Sequence, residues 1–150
     1  MDKGTKVIVG IRVGRSQEEL AIARMLVEQK AYRLAVSRSY YAMFYLTTAA
    51  LLAMGIYRGK HSAVQAGLHQ FLVQPGLIEP EYGKLYDEAF DMRHHADYDD
   101  FSKYTEETAR QLLVDAEHYV ARLETYLRSV EAIHSMTDER RDILTGDNEA

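Results

Sequence analysis

The stretch FDMRHHADYDDF, positions 90 to 101, gathers one arginine, two adjacent histidines, four aspartates and a tyrosine between two phenylalanines. These residue types suit phosphate chemistry. A guanidinium fork holds two phosphate oxygens, and an imidazole exchanges protons near neutral pH. On a helix, i,i+4 spacing sets Arg93 beside Asp97, His94 beside Tyr98 and His95 beside Asp99. Arg93 and His94 lie ~100° apart around the axis, so they border one groove. Arg38 is the other unusual charge, the only one between Leu34 and Tyr57 on a stretch expected to be mostly buried. A buried guanidinium needs a carboxylate, a carbonyl or a bound anion. Two arrangements meet these needs. In one, Arg38 or Arg93 pairs with Asp97 and the histidines occupy a solvated helix end. In the other, a phosphate lies between the arginines with a histidine available for proton transfer. Composition does not choose between them.

Other chemistries have less support. Neighbouring histidines point in different directions on a helix, so His94 and His95 do not share one metal ion. Glu131-Ala-Ile-His134 is a single Glu-x-x-His element where a di-iron bundle needs two and further glutamates. There is no P-loop, no GxSxG and no cysteine nucleophile. Neither a metal nor a cofactor is expected.

The elements that must position these residues are helices. Ser16 and Glu19 have capping-box spacing, and Leu20, Ala23, Val27 and Ala31 recur on one face, which predicts a first helix over residues 17–30. Residues 1–15 alternate valine, isoleucine and glycine with basic residues and stay unassigned, as an arm before the domain. A second helix, 32–54, mixes small residues with Tyr41, Phe44, Tyr45, Leu51 and Leu52, which suits a central position. Gly55 ends it. Ser62 and Gln65 suggest another capping box at a short third helix, stopped by Pro75-Gly76. Pro80 opens a fourth helix, with Glu79 and Glu81 at its positive end. After a break over 98–103, the apolar positions from Ala109 to Val130 mark a long fifth helix that runs to about residue 132. The polar tail, 133–150, is expected to be disordered. The prediction is an all-α domain over 16–132, an up-and-down four-helix bundle with one short additional helix.

Length and composition agree. The 150 residues, 47% of them hydrophobic, suit one domain, and a net charge of −5 argues against coating nucleic acid through bulk positive charge while leaving room for a local basic patch. The absence of cysteine and of a signal-like segment points to a cytoplasmic protein. SYYAMFYLTTAALLAMGIY, from position 39, lacks charge, but its four tyrosines, two threonines and a serine fit a core helix better than a membrane span.

Three blocks carry a family resemblance: YRLAVSRSYYAMFYLTTAALLAMGI, GKHSAVQAGLHQFLV and YGKLYDEAFDMRHHADYDDF. Their order and spacing, over about 16–127, resemble the HEPN family, the higher eukaryotes and prokaryotes nucleotide-binding domains. The small prokaryotic branch often encoded beside a minimal nucleotidyltransferase is the most similar. The resemblance implies a helical bundle, commonly a homodimer, that binds RNA or a nucleotide. It also implies a toxin-antitoxin-type module with the nucleotidyltransferase as partner. On the matching blocks it puts ligand binding at Arg38, His61, Arg93, Asp97 and Tyr98. Many members are similar to metal-independent endoribonucleases whose signature is arginine, four to six residues, then histidine. Here the positions for that histidine hold Tyr98, Asp99 and Asp100, so a catalytic role would fall to Arg93 with His94 or His95. Arg128 and His134 match the bare spacing but lie at the far end of the last helix. The resemblance thus favours binding over catalysis, with an endoribonuclease and a purely structural bundle as alternatives.

Overall fold

The computed structural model describes residues 1–100 and 103–134. Among them are five α-helices and no strand: α1 (Lys3–Glu28), α2 (Tyr32–Ala53), α3 (His61–Gly67), α4 (Pro80–Tyr98) and α5 (Glu106–Ser129). A π-helical turn, Leu68–Val73, continues α3. The expected tail from 135 onward lies outside the described residues.

Paired side chains give the topology. Along α1 and α2 the partners are Glu19 with Arg38, Ser16 with Ala42 and Arg12 with Thr48, so the two helices run antiparallel. Ser37 with Asp97 and Tyr41 with Arg93 make α2 and α4 antiparallel as well. Glu28 with Arg110 and Gln17 with Glu124 do the same for α1 and α5. The up-and-down bundle therefore closes as α1, α2, α4, α5, with α3 lying outside that ring.

α2 is the central helix because its small residues admit neighbours closely all round, and Ala35, Tyr40, Met43, Leu46, Ala49, Ala50 and Leu51 are all buried. Its length does not make it a membrane span, since no helix among the described residues is long and apolar enough to cross a bilayer. It ends as expected. Gly55, at φ +79°, donates to the Leu52 carbonyl, and Ile56 donates to Leu51, the Schellman arrangement that glycine adopts without a Cβ penalty.

Three local expectations need correction. Residues 3–15 are helical, because Thr5, Val9 and Ser16 fall on the buried face that continues into Leu20, Ala23 and Val27. The tertiary contact overrides the weak helix propensity of the valine, isoleucine and glycine run. Asp2 caps this helix, accepting the Thr5 N–H at 2.7 Å, and those bonds lower its carboxyl pKa. Ser16 is thus not a cap; buried mid-helix, it donates to the Ala42 carbonyl at 2.7 Å. Ser62 likewise lies inside α3, whose N-cap position is Lys60, and Gln65 donates to Asp87 instead.

The π-helical turn sits against α4 where Gly83 leaves room, for a Cβ there would stand 2.8 Å from His69 Cε1. Pro80 occupies the first turn of α4, and Thr105 caps α5 by accepting the Thr108 N–H at 3.1 Å.

The end of α1 repeats the Schellman pattern with an unsuitable residue. Lys30 holds φ +63° while Ala31 donates to the Leu26 carbonyl at 2.8 Å. A lysine there costs about 1 kcal/mol relative to glycine. Lys30→Gly is expected to raise the unfolding free energy by up to about 0.5 kcal/mol, the gain left once the larger unfolded-state entropy of glycine is subtracted. Urea denaturation measures it, and a lower midpoint contradicts it.

Candidate ligand-binding site

The antiparallel crossing of α2 and α4 brings the turn from Ser37 to Tyr41 against the turn from Arg93 to Asp97. Arg93 reaches across α2 with its guanidinium carbon 5.6 Å from the Tyr40 ring centre and 5.4 Å from that of Tyr41. Its Nη2 donates to the Tyr41 hydroxyl at 3.2 Å. Its Nε stands 2.8 Å from Asp97 Oδ2 yet makes no directed hydrogen bond, so this contact is an ion pair lying off the N–H axis. The other Asp97 oxygen accepts the Ser37 hydroxyl at 3.0 Å. The i,i+4 pairing read from the sequence is therefore present, on an arginine side chain only 15% exposed.

His61 enters the same corner from the start of α3. Its ring stacks on Phe44 at 4.4 Å and lies 5.7 Å from both Tyr40 and Tyr41, while Nδ1 meets the Tyr40 hydroxyl at 2.7 Å. Burial pushes the Tyr40 pKa up to about 12, so the phenol keeps its proton and can donate it to Nδ1. In that arrangement the neutral imidazole carries its own proton on Nε2. Burial first, and the Arg93 charge second, lower the His61 pKa against the opposing pull of Asp97. Behind this corner Tyr40 leads to Tyr86 at 3.5 Å between hydroxyls, and Tyr86 packs on Tyr119, which bonds Thr47. This buried column fixes Tyr40 from behind.

The expected pair of Arg38 with Asp97 does not form. Arg38 is half-exposed and holds both oxygens of Glu19 at 3.2 Å, with its guanidinium 4.6 Å from the Tyr41 ring centre. Ser37 faces α4, and the next residue points ~100° away, toward α1. Asp97 is already satisfied by Arg93 and Ser37.

Arg38, His61 and Arg93 thus converge on Tyr41, with Asp97 holding Arg93 from behind. His94, His95 and Tyr98 lie exposed toward the end of α4. The His94 ring packs 5.0 Å from Tyr98, as i,i+4 spacing requires, and the His95 carbonyl accepts the Asp99 N–H. Sequence reasoning missed Tyr40 and Tyr41 as site residues, although the signal was available: two tyrosines immediately follow Arg38-Ser39 on the helix expected to be central. The corner is separate from a cleft of about 380 Å³ at the turn from α1 to α2 lined by Tyr32, Arg33 and Leu34. That cleft has none of the converging groups described above.

Chemically, the corner presents two guanidiniums, one imidazole N–H and the face of a half-buried tyrosine. That set suits an anion attached to a planar ring. No group of three or more potential ligands among the described residues could hold a metal ion.

Comparison with known proteins agrees with the helical fold. A Methanocaldococcus jannaschii protein named "putative toxin" is 36% identical over 115 residues, 77% of this chain and 85% of its own. A second protein of that organism with the same description is 28% identical over 137 residues, covering 91% of this chain and 86% of its own. A Thermotoga maritima UPF0332 protein is 33% identical over 116 residues, 77% of this chain and 88% of its own. The HEPN domain model matches residues 11–126, from the middle of α1 into the last turn of α5, and this all-α chain belongs to the HEPN family.

Proposed function

We propose that this chain is a toxin-like HEPN protein that binds RNA or a nucleotide at the corner formed by Arg38, His61, Arg93 and Asp97, as the partner of a minimal nucleotidyltransferase. The toxin reading draws support from the names of two relatives. The binding reading rests on one observation: Arg38, Arg93 and His61 come from three helices and meet at a single tyrosine. A phosphate between the guanidiniums and a base on Tyr41 would use every group there. The deciding experiment measures binding and cleavage of RNA in EDTA by wild type and Arg93→Ala. Binding by wild type that Arg93→Ala loses supports the site; equal binding by both overturns it.

A second reading, the metal-independent endoribonuclease, is favoured by the placement of His61. It is the histidine beside Arg93, whereas His94 and His95 face outward. General acid-base catalysis contributes about 10²- to 10⁴-fold. EDTA-resistant cleavage lost in His61→Ala, with His94→Ala and His95→Ala unchanged, would establish that reading.

The proposed homodimer needs a surface other than α2 and α5, whose apolar faces are spent inside the bundle. The outer face of α1 offers one, with Val7, Ile11, Ile22 and Met25 exposed on one stripe. Lys3 and Lys6 lie at one end of α1 and Glu28 at the other, so an antiparallel second copy that sets Val7 against Met25 also brings Glu28 beside the lysines of its partner. Light scattering at micromolar concentration is expected to show a dimer for wild type and a monomer for Ile11→Glu/Ile22→Glu. A monomeric wild type contradicts the assembly.

A further inference from the structure

The Tyr41 corner is one end of a longer row. On α2, Arg38, Tyr41, Tyr45, Thr48 and Leu52 follow one another at three- or four-residue steps along a single face. Each turn of that face receives an arginine. Arg38 and Arg93 lie over Tyr41, Arg15 lies 5.8 Å from the Tyr45 ring centre, and Arg12 Nη1 donates to the Thr48 hydroxyl at 2.8 Å. The row then opens into a cleft of about 280 Å³ lined by Arg12, Thr48, Leu52, Ile56, Tyr57 and Arg58.

The charge state of this cleft is unusual for a chain of net charge −5. Arg38 and Arg93 at the corner have carboxylate partners, whereas Arg12, Arg15 and Arg58 have none among the described residues. Arg58 is held by the Ala63 carbonyl at 3.1 Å and by the Phe71 ring at 5.2 Å. It is positioned without being neutralised, as Arg12 is by Thr48. No carboxylate lines the cleft. Two fixed, uncompensated guanidiniums over an apolar floor form an anion site. Tyr57, 72% exposed at the rim, offers a free aromatic face.

We propose that this cleft is a second phosphate site, continuous with the corner, and that the ligand is a single-stranded polynucleotide spanning several phosphates instead of a mononucleotide. The inference rests on the binding reading above and names its substrate class. Successive arginines stand about one helical turn apart, ~5.4 Å along α2, an interval an extended strand can match phosphate by phosphate. Tyr41, Tyr45 and Tyr57 supply stacking faces in the same order, which is how strands are held without base-specific hydrogen bonds.

The test uses full-length protein with three probes: an unstructured RNA of eight nucleotides, the DNA of the same sequence, and adenosine 5′-monophosphate. Affinities are measured across a salt series for wild type, Arg12→Ala/Arg58→Ala, Tyr57→Ala and Arg93→Ala. The double variant is expected to bind the octamer at least 10-fold more weakly, with a log-log salt slope reduced by about 1.4 for two lost contacts at ~0.7 each. Its affinity for the monophosphate should stay within twofold. Tyr57→Ala, altering an exposed side chain, is expected to lose about 5-fold or more on the octamer. Arg12→Lys/Arg58→Lys, which keeps both charges, should recover part of the loss and serves if the alanine variant melts early. Binding of either octamer meets the claim, and a preference for RNA assigns the ligand to the function proposed above. Wild-type octamer affinity and slope in the double variant overturn the cleft while leaving the corner standing, as does equal wild-type affinity for octamer and monophosphate. Octamer binding that needs Arg12 and Arg58 but not Arg93 keeps the cleft and removes the corner. A wild type that binds none of the probes overturns both.

Discussion

Asp97→Ala is expected to lower the unfolding free energy by about 2 kcal/mol, while Arg38→Met costs about 1 kcal/mol. The difference follows from what each leaves behind. Arg93 is 15% exposed and wedged over two tyrosine rings, so removing Asp97 strands a mostly buried cation and deprives the Ser37 hydroxyl of its acceptor. Breaking a fully buried pair costs about 3–5 kcal/mol; Asp97 is 31% exposed, and water reaching the vacated space reduces that figure. Arg38, 36% exposed, keeps its end of the pair near water, where such pairs contribute about 0–1 kcal/mol, and Arg38→Met approaches the upper end of that range because it leaves Glu19, 14% exposed, without its cation. Methionine preserves the packing of the stem on Tyr41. Urea denaturation at pH 7 gives both values. Equal midpoints for wild type and Asp97→Ala would show that the ion pair is structurally idle. Arg93→Met should be milder than Asp97→Ala, because it removes the charge along with its need for a partner.

These two arginines also show where sequence reading stops. The i,i+4 contacts of Arg93 with Asp97 and His94 with Tyr98 were legible because one helix fixes them through its own geometry. The partner of Arg38 was not, since it depends on the rotation of α2 against α1, and that is set by the close approach of Ser16 to Ala42. The apolar stripe of α5, and the glycine and proline at the ends of α2 and α4, were readable because each has a local physical cause. Residues 3–15 were not, because their Thr5, Val9 and Ser16 face is interleaved with exposed Val7, Ile8 and Ile11, which obscures the helical period. His61 was indicated by resemblance alone. Its juxtaposition with Arg93 is a tertiary fact, as is the arginine row, whose members are scattered over α1, α2, the loop before α3, and α4.

The affinity of the corner for RNA is expected to depend on Arg93 and to respond to pH through His61. Arg93→Ala should weaken binding about 10- to 100-fold, since charge-assisted hydrogen bonds contribute about 1.5–3 kcal/mol each. Arg93→Lys should recover only part of that, because an ammonium keeps the charge but loses the fork. The pH effect has opposite signs for folding and for binding. Burial and Arg93 hold the folded His61 pKa below its ordinary value, so above about pH 6.5 the imidazole is neutral in both folded and unfolded chains and costs nothing. As pH falls from there through the folded pKa, the unfolded state takes up the proton first and stability is lost. A bound phosphodiester reverses the balance, because it favours the protonated ring. Affinity should therefore rise over the same interval. The groups facing the ring from neighbouring elements are Tyr40 and Tyr41 on α2 and Arg93 and Asp97 on α4. Asp97 pairs with Arg93. His61→Gln removes the ring's titration, so the difference between wild type and this variant isolates it from other ionisations. The probe must lack a terminal phosphate, whose second ionisation near pH 6 would mimic the effect. Melting temperature and oligonucleotide affinity measured from pH 8 to pH 5 should diverge for wild type relative to His61→Gln, the first falling and the second rising. Parallel affinity profiles for the two proteins would remove His61 from the binding site and leave Arg93 to act without it.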